Sequence, residues 1–236
     1  AHQRAHRGRH SRFRHGGVSF GAAGSTHHCI EDFAIMRAIP NMTVVIPADA
    51  WETAEAIKQC IDIPGPFYLR VGRGMEPLLH ENADAELLKE FKIGKAMKLR
   101  DGADVTIMAC GVPTRDALIA GHMLEEQGVS AQVINMHTLK PIDEEAVIEA
   151  AVKTRRIVTV EEHNIIGGLG DAVASVLAQS GKRCILTKIG IPDEFGPIGK
   201  PEDLYARYKL SSQGIMETVM ELMGKEIEED DWSDED

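Results

Sequence analysis

From residue 16 onward the chain alternates short apolar runs with amphipathic stretches. Ile30 to Ile39 (IEDFAIMRAI) spaces its apolar residues at a helical interval and halts before Pro40-Asn41, which predicts a helix and its stop. Thr43 to Ile46 is a β-branched run, the mark of a short strand. Asp49 then stands where an N-cap is needed for a helix over Ala50–Ile61. Pro64-Gly65-Pro66 turns the chain into a second strand, Phe67–Val71. Strand, helix, strand is the unit of a parallel sheet.

Residues 74–94 are acidic and irregular, and they read as a linker. A second alternating series follows. Strands are predicted at Val105–Ala109, Ala131–Met136, Ile157–Val160 and Cys184–Ile189. Between them lie helices at Thr114–Gln127, closed by Gly128, at Asp143–Lys153, capped by Asp143, and at Asp171–Gln179. Helices over Glu202–Arg207 and Ser212–Met223 finish the series. The fold class is α/β, in two α/β domains: a partial one over 16–73 and a second over 95–224.

Composition adjusts this picture at the ends. The 236 residues are 43% hydrophobic, enough for real cores, and no apolar run is long enough to span a membrane. Cys29, Cys60, Cys110 and Cys184 fit neither a zinc nor a redox spacing, so they read as reduced thiols of an intracellular, cytoplasmic protein. The net charge of −11 argues against nucleic acid as the main partner. Residues 1–15 carry five Arg and four His with no acid and no period. They read as a disordered or non-native head where a core strand is expected. Residues 225–236, acidic and almost without apolar groups, read as a solvated, disordered tail.

The densest chemistry is in HGGVSFGAAGSTHH, residues 15–28, where His15, His27 and His28 bracket a Gly-rich loop. Imidazole moves protons near neutral pH, and glycine lets backbone approach a ligand. An exposed loop with incidental histidines and a metal site are the alternatives. Arg70 and Arg73 end the strand of YLRVGRG, where ligands of parallel sheets gather, and their forks suit phosphate or carboxylate. Surface salt-bridging is the other reading. Gly167-Gly168-Leu169-Gly170 lacks the spacing of a dinucleotide turn and reads as a tight strand–helix turn. Glu161-Glu162-His163 reads as a solvated strand end.

In order, HGGVSFGAAGSTHHCIEDFAIMRAIPNMTVVIPAD and PFYLRVGRG resemble the C-terminal part of the transketolase pyrimidine-binding domain. ADVTIMACG, VINMHTLKPID and IVTVEEHNIIGGLGDAV resemble the transketolase C-terminal domain. The length is similar to the small subunit of split transketolases. The resemblance implies a dimer or heterotetramer, homodimeric or with an N-terminal transketolase subunit. It implies transfer of a two-carbon ketol unit between sugar phosphates, with thiamine diphosphate supplying the chemistry and the partner subunit holding Mg2+. By that pattern His27 is the catalytic imidazole, His15 and Arg73 hold the sugar phosphate, and Arg70 is a further candidate. No metal ligand and no cofactor-binding residue is assigned, because the family's glutamate and aromatic clamp lie upstream of HGGVS, where the basic head stands. Activity then requires the partner and that segment. Ala23 replaces a family aspartate that contacts a donor hydroxyl, which loosens the expected sugar preference. Two rival readings are the β subunit of a 2-oxo acid dehydrogenase E1 component, and a non-catalytic partner or truncated remnant.

Overall fold

The computed structural model describes residues 11–72, 78–79 and 91–224, with side chains from residue 16. The tail at 225–236, Arg73 and most of the expected linker lie outside the described residues. The first sheet joins β1 (Ser11–His15), β2 (Thr43–Val45), β3 (Phe67–Val71) and β7 (Thr138–Lys140) in the order β1-β3-β2-β7. Helix α1 (Asp32–Ala38) leads to β2, and α2 (Ala50–Cys60) joins β2 to the parallel β3. The Asp49 side chain accepts from the Glu52 amide at 2.9 Å, as the N-cap reading requires.

Ser11–His15 corrects the reading of the head. It is a strand, parallel to β3 and in register from Ser11 opposite Phe67 to His15 opposite Val71. Ladder hydrogen bonds are made by backbone, so a basic segment without apolar period can complete a sheet if a neighbour offers its edge.

The second sheet has the order β4-β6-β5-β8-β9, built from β4 (Met97–Arg100), β5 (Val105–Ala109), β6 (Ala131–Asn135), β8 (Arg156–Asn164) and β9 (Ile185–Ile191). All neighbours are parallel except β4 with β6. Helices α3 (Pro113–Glu126), α4 (Glu144–Thr154), α5 (Leu169–Ser180), α6 (Pro201–Arg207) and α7 (Ser212–Gly224) cover it. Period-2 alternation divides the faces. Val105, Ile107 and Ala109 pack with α3 and α7, while Met108 packs with α4 and α5. Each fully buried side chain of this kind contributes roughly 1.5–3 kcal/mol.

The two halves are not independent. Strand β7 leaves the second series to pair antiparallel with β2, and one core holds Phe33, Val44 and Tyr68 beside Met136, Leu139 and Leu169. Asn135 on β6 donates to Glu52 on α2 at 2.6 Å, both buried. Phe91, at the end of the expected linker, is buried against the edge of Trp51. The four cysteines form no disulfide with one another. No helix of the described residues is long and apolar enough to cross a membrane.

Candidate functional site

The loop between β1 and α1 is closed at its base, where Gly17 and Cys29 exchange both backbone bonds, at 2.7 and 3.2 Å. Successive turns follow: the Gly21 amide bonds Val18, Gly24 bonds Gly21, and His27 bonds Gly24. Fully buried Val18 anchors one end. The turns expose His27, whose ring stacks on Phe20 with centroids 5.3 Å apart. His27 Nδ1 lies 2.9 Å from the Thr26 hydroxyl, which in turn donates to the Ala23 carbonyl.

His28 goes the other way. Its ring packs against Gly196, where a Cβ would meet Nδ1 at 2.9 Å, and both ring nitrogens are buried without a hydrogen-bond partner. The two adjacent imidazoles therefore differ: His27 faces solvent and His28 is packing. Among the described residues, no group of three or more His, Cys, Asp or Glu is gathered for a metal.

Strand β8 extends four residues past the predicted Val160 and carries Glu161-Glu162-His163 into the interior, correcting the reading as a solvated strand end. Glu161 and His163 are 0% exposed and Glu162 4%. Each has its own task. Glu161 accepts from the Leu169 and Gly170 amides at 2.6 and 2.9 Å, at the N-terminus of α5. Burial nevertheless pushes its pKa up to about 7. His163 Nε2 accepts from the Phe33 amide at 3.1 Å, at the start of α1, and Nδ1 donates to the Asn164 carbonyl at 2.6 Å. Its ring lies flat on Phe33, 4.4 Å between centroids, and burial lowers its pKa to about 4, so it is neutral at pH 7. Glu162, on the opposite face of the strand, accepts from the Val18 and Ser19 amides at 2.8 and 2.9 Å.

A signal for this run was present in the sequence but unread. Gly17 has φ +76°, and a Cβ there would overlap the Glu162 carboxylate; a Cβ on Gly168 would overlap Glu161. The turn reading of GGLG agrees with this packing.

Arg70 is also turned inward. Its Nε lies 3.6 Å from Asp32 and its Nη2 3.9 Å from Glu162, and it donates to the Glu162 carbonyl at 2.9 Å. The guanidinium sits 4.5 Å over the Phe33 ring, and Tyr68 donates to Asp32 at 2.6 Å. Burial works against the charge, but Asp32 and Glu162 more than offset it and the net pKa shift is upward. At 4% exposure, Arg70 is engaged by two carboxylates in the interior. His15 ends β1 opposite Val71, two residues before Arg73, so the carboxyl ends of β1 and β3 come together. The lining of a narrow cleft there includes Gly16, Ile46, Arg70, Gly72, Cys110 and Glu162.

Comparison with known proteins agrees with this architecture. The family model described as "Transketolase, pyrimidine binding domain" matches residues 2–77, and "Transketolase, C-terminal domain" matches residues 94–215. An apulose-4-phosphate transketolase subunit of Phocaeicola vulgatus is 43% identical over 89% of this chain and 65% of its own length. A putative transketolase C-terminal section of Methanocaldococcus jannaschii is 43% identical over 90% of this chain and 65% of its own. The chain thus spans just under two thirds of these relatives. Among solved structures, an inactive β4 tetramer of a split-gene transketolase superposes with a TM-score of 0.79 at 39% identity, covering 89% of this chain and 65% of the other. A transketolase of Pichia stipitis in complex with sedoheptulose-7-phosphate gives 0.67 at 26% identity, covering 88% of this chain and 29% of the other.

Proposed function

The chain belongs to the transketolase family, and on that premise we propose that it acts as the C-terminal section of a thiamine-diphosphate enzyme moving a two-carbon ketol unit between sugar phosphates. The observation that carries this is one exposed imidazole, His27, on a braced Gly-rich loop inside the first of two family matches that follow each other in the order such a section requires. The relatives named as a transketolase subunit and as a C-terminal section support a division of labour between two polypeptides. We assign the divalent ion and the diphosphate to an N-terminal partner, in a cytoplasmic dimer or heterotetramer.

When bound, thiamine diphosphate supplies the nucleophilic carbon and the electron sink. An exposed imidazole beside a glycine-rich backbone fits the proton-handling side of such a site. With Nδ1 engaged by the Thr26 hydroxyl, Nε2 is the nitrogen proposed to take a proton from a substrate hydroxyl and return it. His15, at the end of β1, and Arg73, two positions after β3 in the sequence, are proposed as the anchors of the sugar phosphate.

Co-expression with the cognate N-terminal section tests this by direct measurement of ketol transfer. His27→Ala should lower kcat by about 10²–10⁴, the loss typical of a general acid or base. His28→Ala should stay within a few-fold. A silent His27→Ala removes the assigned role, and a crippling effect confined to His28→Ala moves it by one residue.

A further inference from the structure

The loop that presents His27 is held in place by a residue of the other half. Glu162, 144 positions further along the chain, takes the Val18 and Ser19 amides on one oxygen, at 2.8 and 2.9 Å. Its other oxygen faces Arg70, and the Tyr205 hydroxyl of α6 is a further donor to the carboxylate. The contact is close enough that Gly17 has no room for a Cβ. Ser19 is followed directly by Phe20, the ring on which His27 stacks. A short mechanical path therefore runs from the carboxylate through two amides to the imidazole.

We propose that Glu162 is a positioning residue of the ketol-transfer site: its carboxylate sets where the 16–28 loop stands and so where His27 meets substrate. This rests on the functional reading above for its catalytic part only. A carboxylate with two amide donors and a cation is a strong, directional brace, since charge-assisted bonds are about twice as strong as neutral ones. It reaches the loop because β8 runs past the sheet edge at Val160, and Asp at this position, one methylene shorter, falls short of both amides.

The test uses Glu162→Asp, Glu162→Gln and Glu162→Ala, with Glu161→Gln as a control on the opposite face of the strand. In hydrogen–deuterium exchange of the full chain, Glu162→Asp and Glu162→Ala should speed exchange of segment 16–28 by about tenfold to a hundredfold. Because Arg70 keeps Asp32 and the residue-162 carbonyl, exchange in 105–109 and 157–160 should rise by a smaller factor than in 16–28. Glu162→Gln keeps one acceptor oxygen and should retain part of the protection; it also carries the test if Glu162→Ala does not fold. Glu161→Gln should leave the 16–28 loop unchanged. With the partner present, kcat should fall in the same rank order while KM changes little. Unchanged exchange at 16–28, or exchange raised equally across the chain, overturns the proposal. If exchange at 16–28 rises as described but His27→Ala is silent, the brace stands and the functional reading falls.

Discussion

Arg70→Met is the most decisive single change to the interior. Methionine keeps much of the apolar stem and its contact with Phe33 while removing the charge. Asp32 and Glu162 are then left in a region where both are 4% exposed. Removing one partner of a buried ion pair costs about 3–5 kcal/mol, and the residual donors Tyr68, Val18 and Ser19 keep the figure within that range. This is a large part of the roughly 5–15 kcal/mol that holds a domain together. With a urea slope of about 2–3 kcal/mol/M, the unfolding midpoint should drop by about 1–2.5 M. The deficit should depend on pH. Burial already raises the Glu162 pKa and Arg70 opposes the rise, so without Arg70 it goes higher. A carboxyl group raised in the folded state favours folding at low pH and loses that contribution as pH rises through its folded pKa. The deficit should therefore shrink as pH is lowered toward 5. Urea titrations by circular dichroism at pH 5 and pH 8 measure it. A change within the surface range of about 0.5 kcal/mol refutes the argument. If that small change came with a raised KM for phosphorylated sugars, Arg70 would regain the substrate role expected from its position after β3.

Glu161 and His163 should give opposite pH slopes. Glu161 is raised to about 7, so its contribution is full below the ordinary value of 4.5 and lost as pH rises through about 7. His163 is depressed to about 4, so its contribution is full above 6.5 and lost as pH falls toward 4. Glu161→Gln should make stability rise with pH between about 4 and 6.5, and His163→Gln should make it fall between about 4.5 and 7. Thermal melts across that range check both, and slopes unchanged from the parent would exclude the assignment. In the reconstituted enzyme, Arg73→Ala should raise KM for phosphorylated sugars by about tenfold to a hundredfold, from loss of a charge-assisted contact worth roughly 1.5–3 kcal/mol. Equal losses on free sugars would remove Arg73 from that role.

Local chemistry along the chain determined the elements that carry their own signal. The β-branched run at Thr43, the strand at Phe67 after its Pro-Gly-Pro turn, the caps Asp49 and Asp143, and the apolar period of 114–127 and 171–179 state strand or helix without reference to anything distant. The ordered motifs likewise pointed to the family and to His27. Three features were decided only by the tertiary structure. Strand β1 has a sequence that no periodicity rule would select, and it exists because β3 offers an edge to a backbone that needs only its own amides and carbonyls. Strand β7 is three residues long and finds its partner in the other half of the chain. The Glu161-Glu162-His163 run is polar enough to belong at the surface, and its burial depends on donors 8 to 144 positions away. Alternation tells which face a side chain takes, but the cost of burying a charge is met by partners that folding brings from elsewhere. For the same reason the surroundings of Arg70 and of the His28 ring, which Asp32, Glu162 and Gly196 supply, could be read only from the fold.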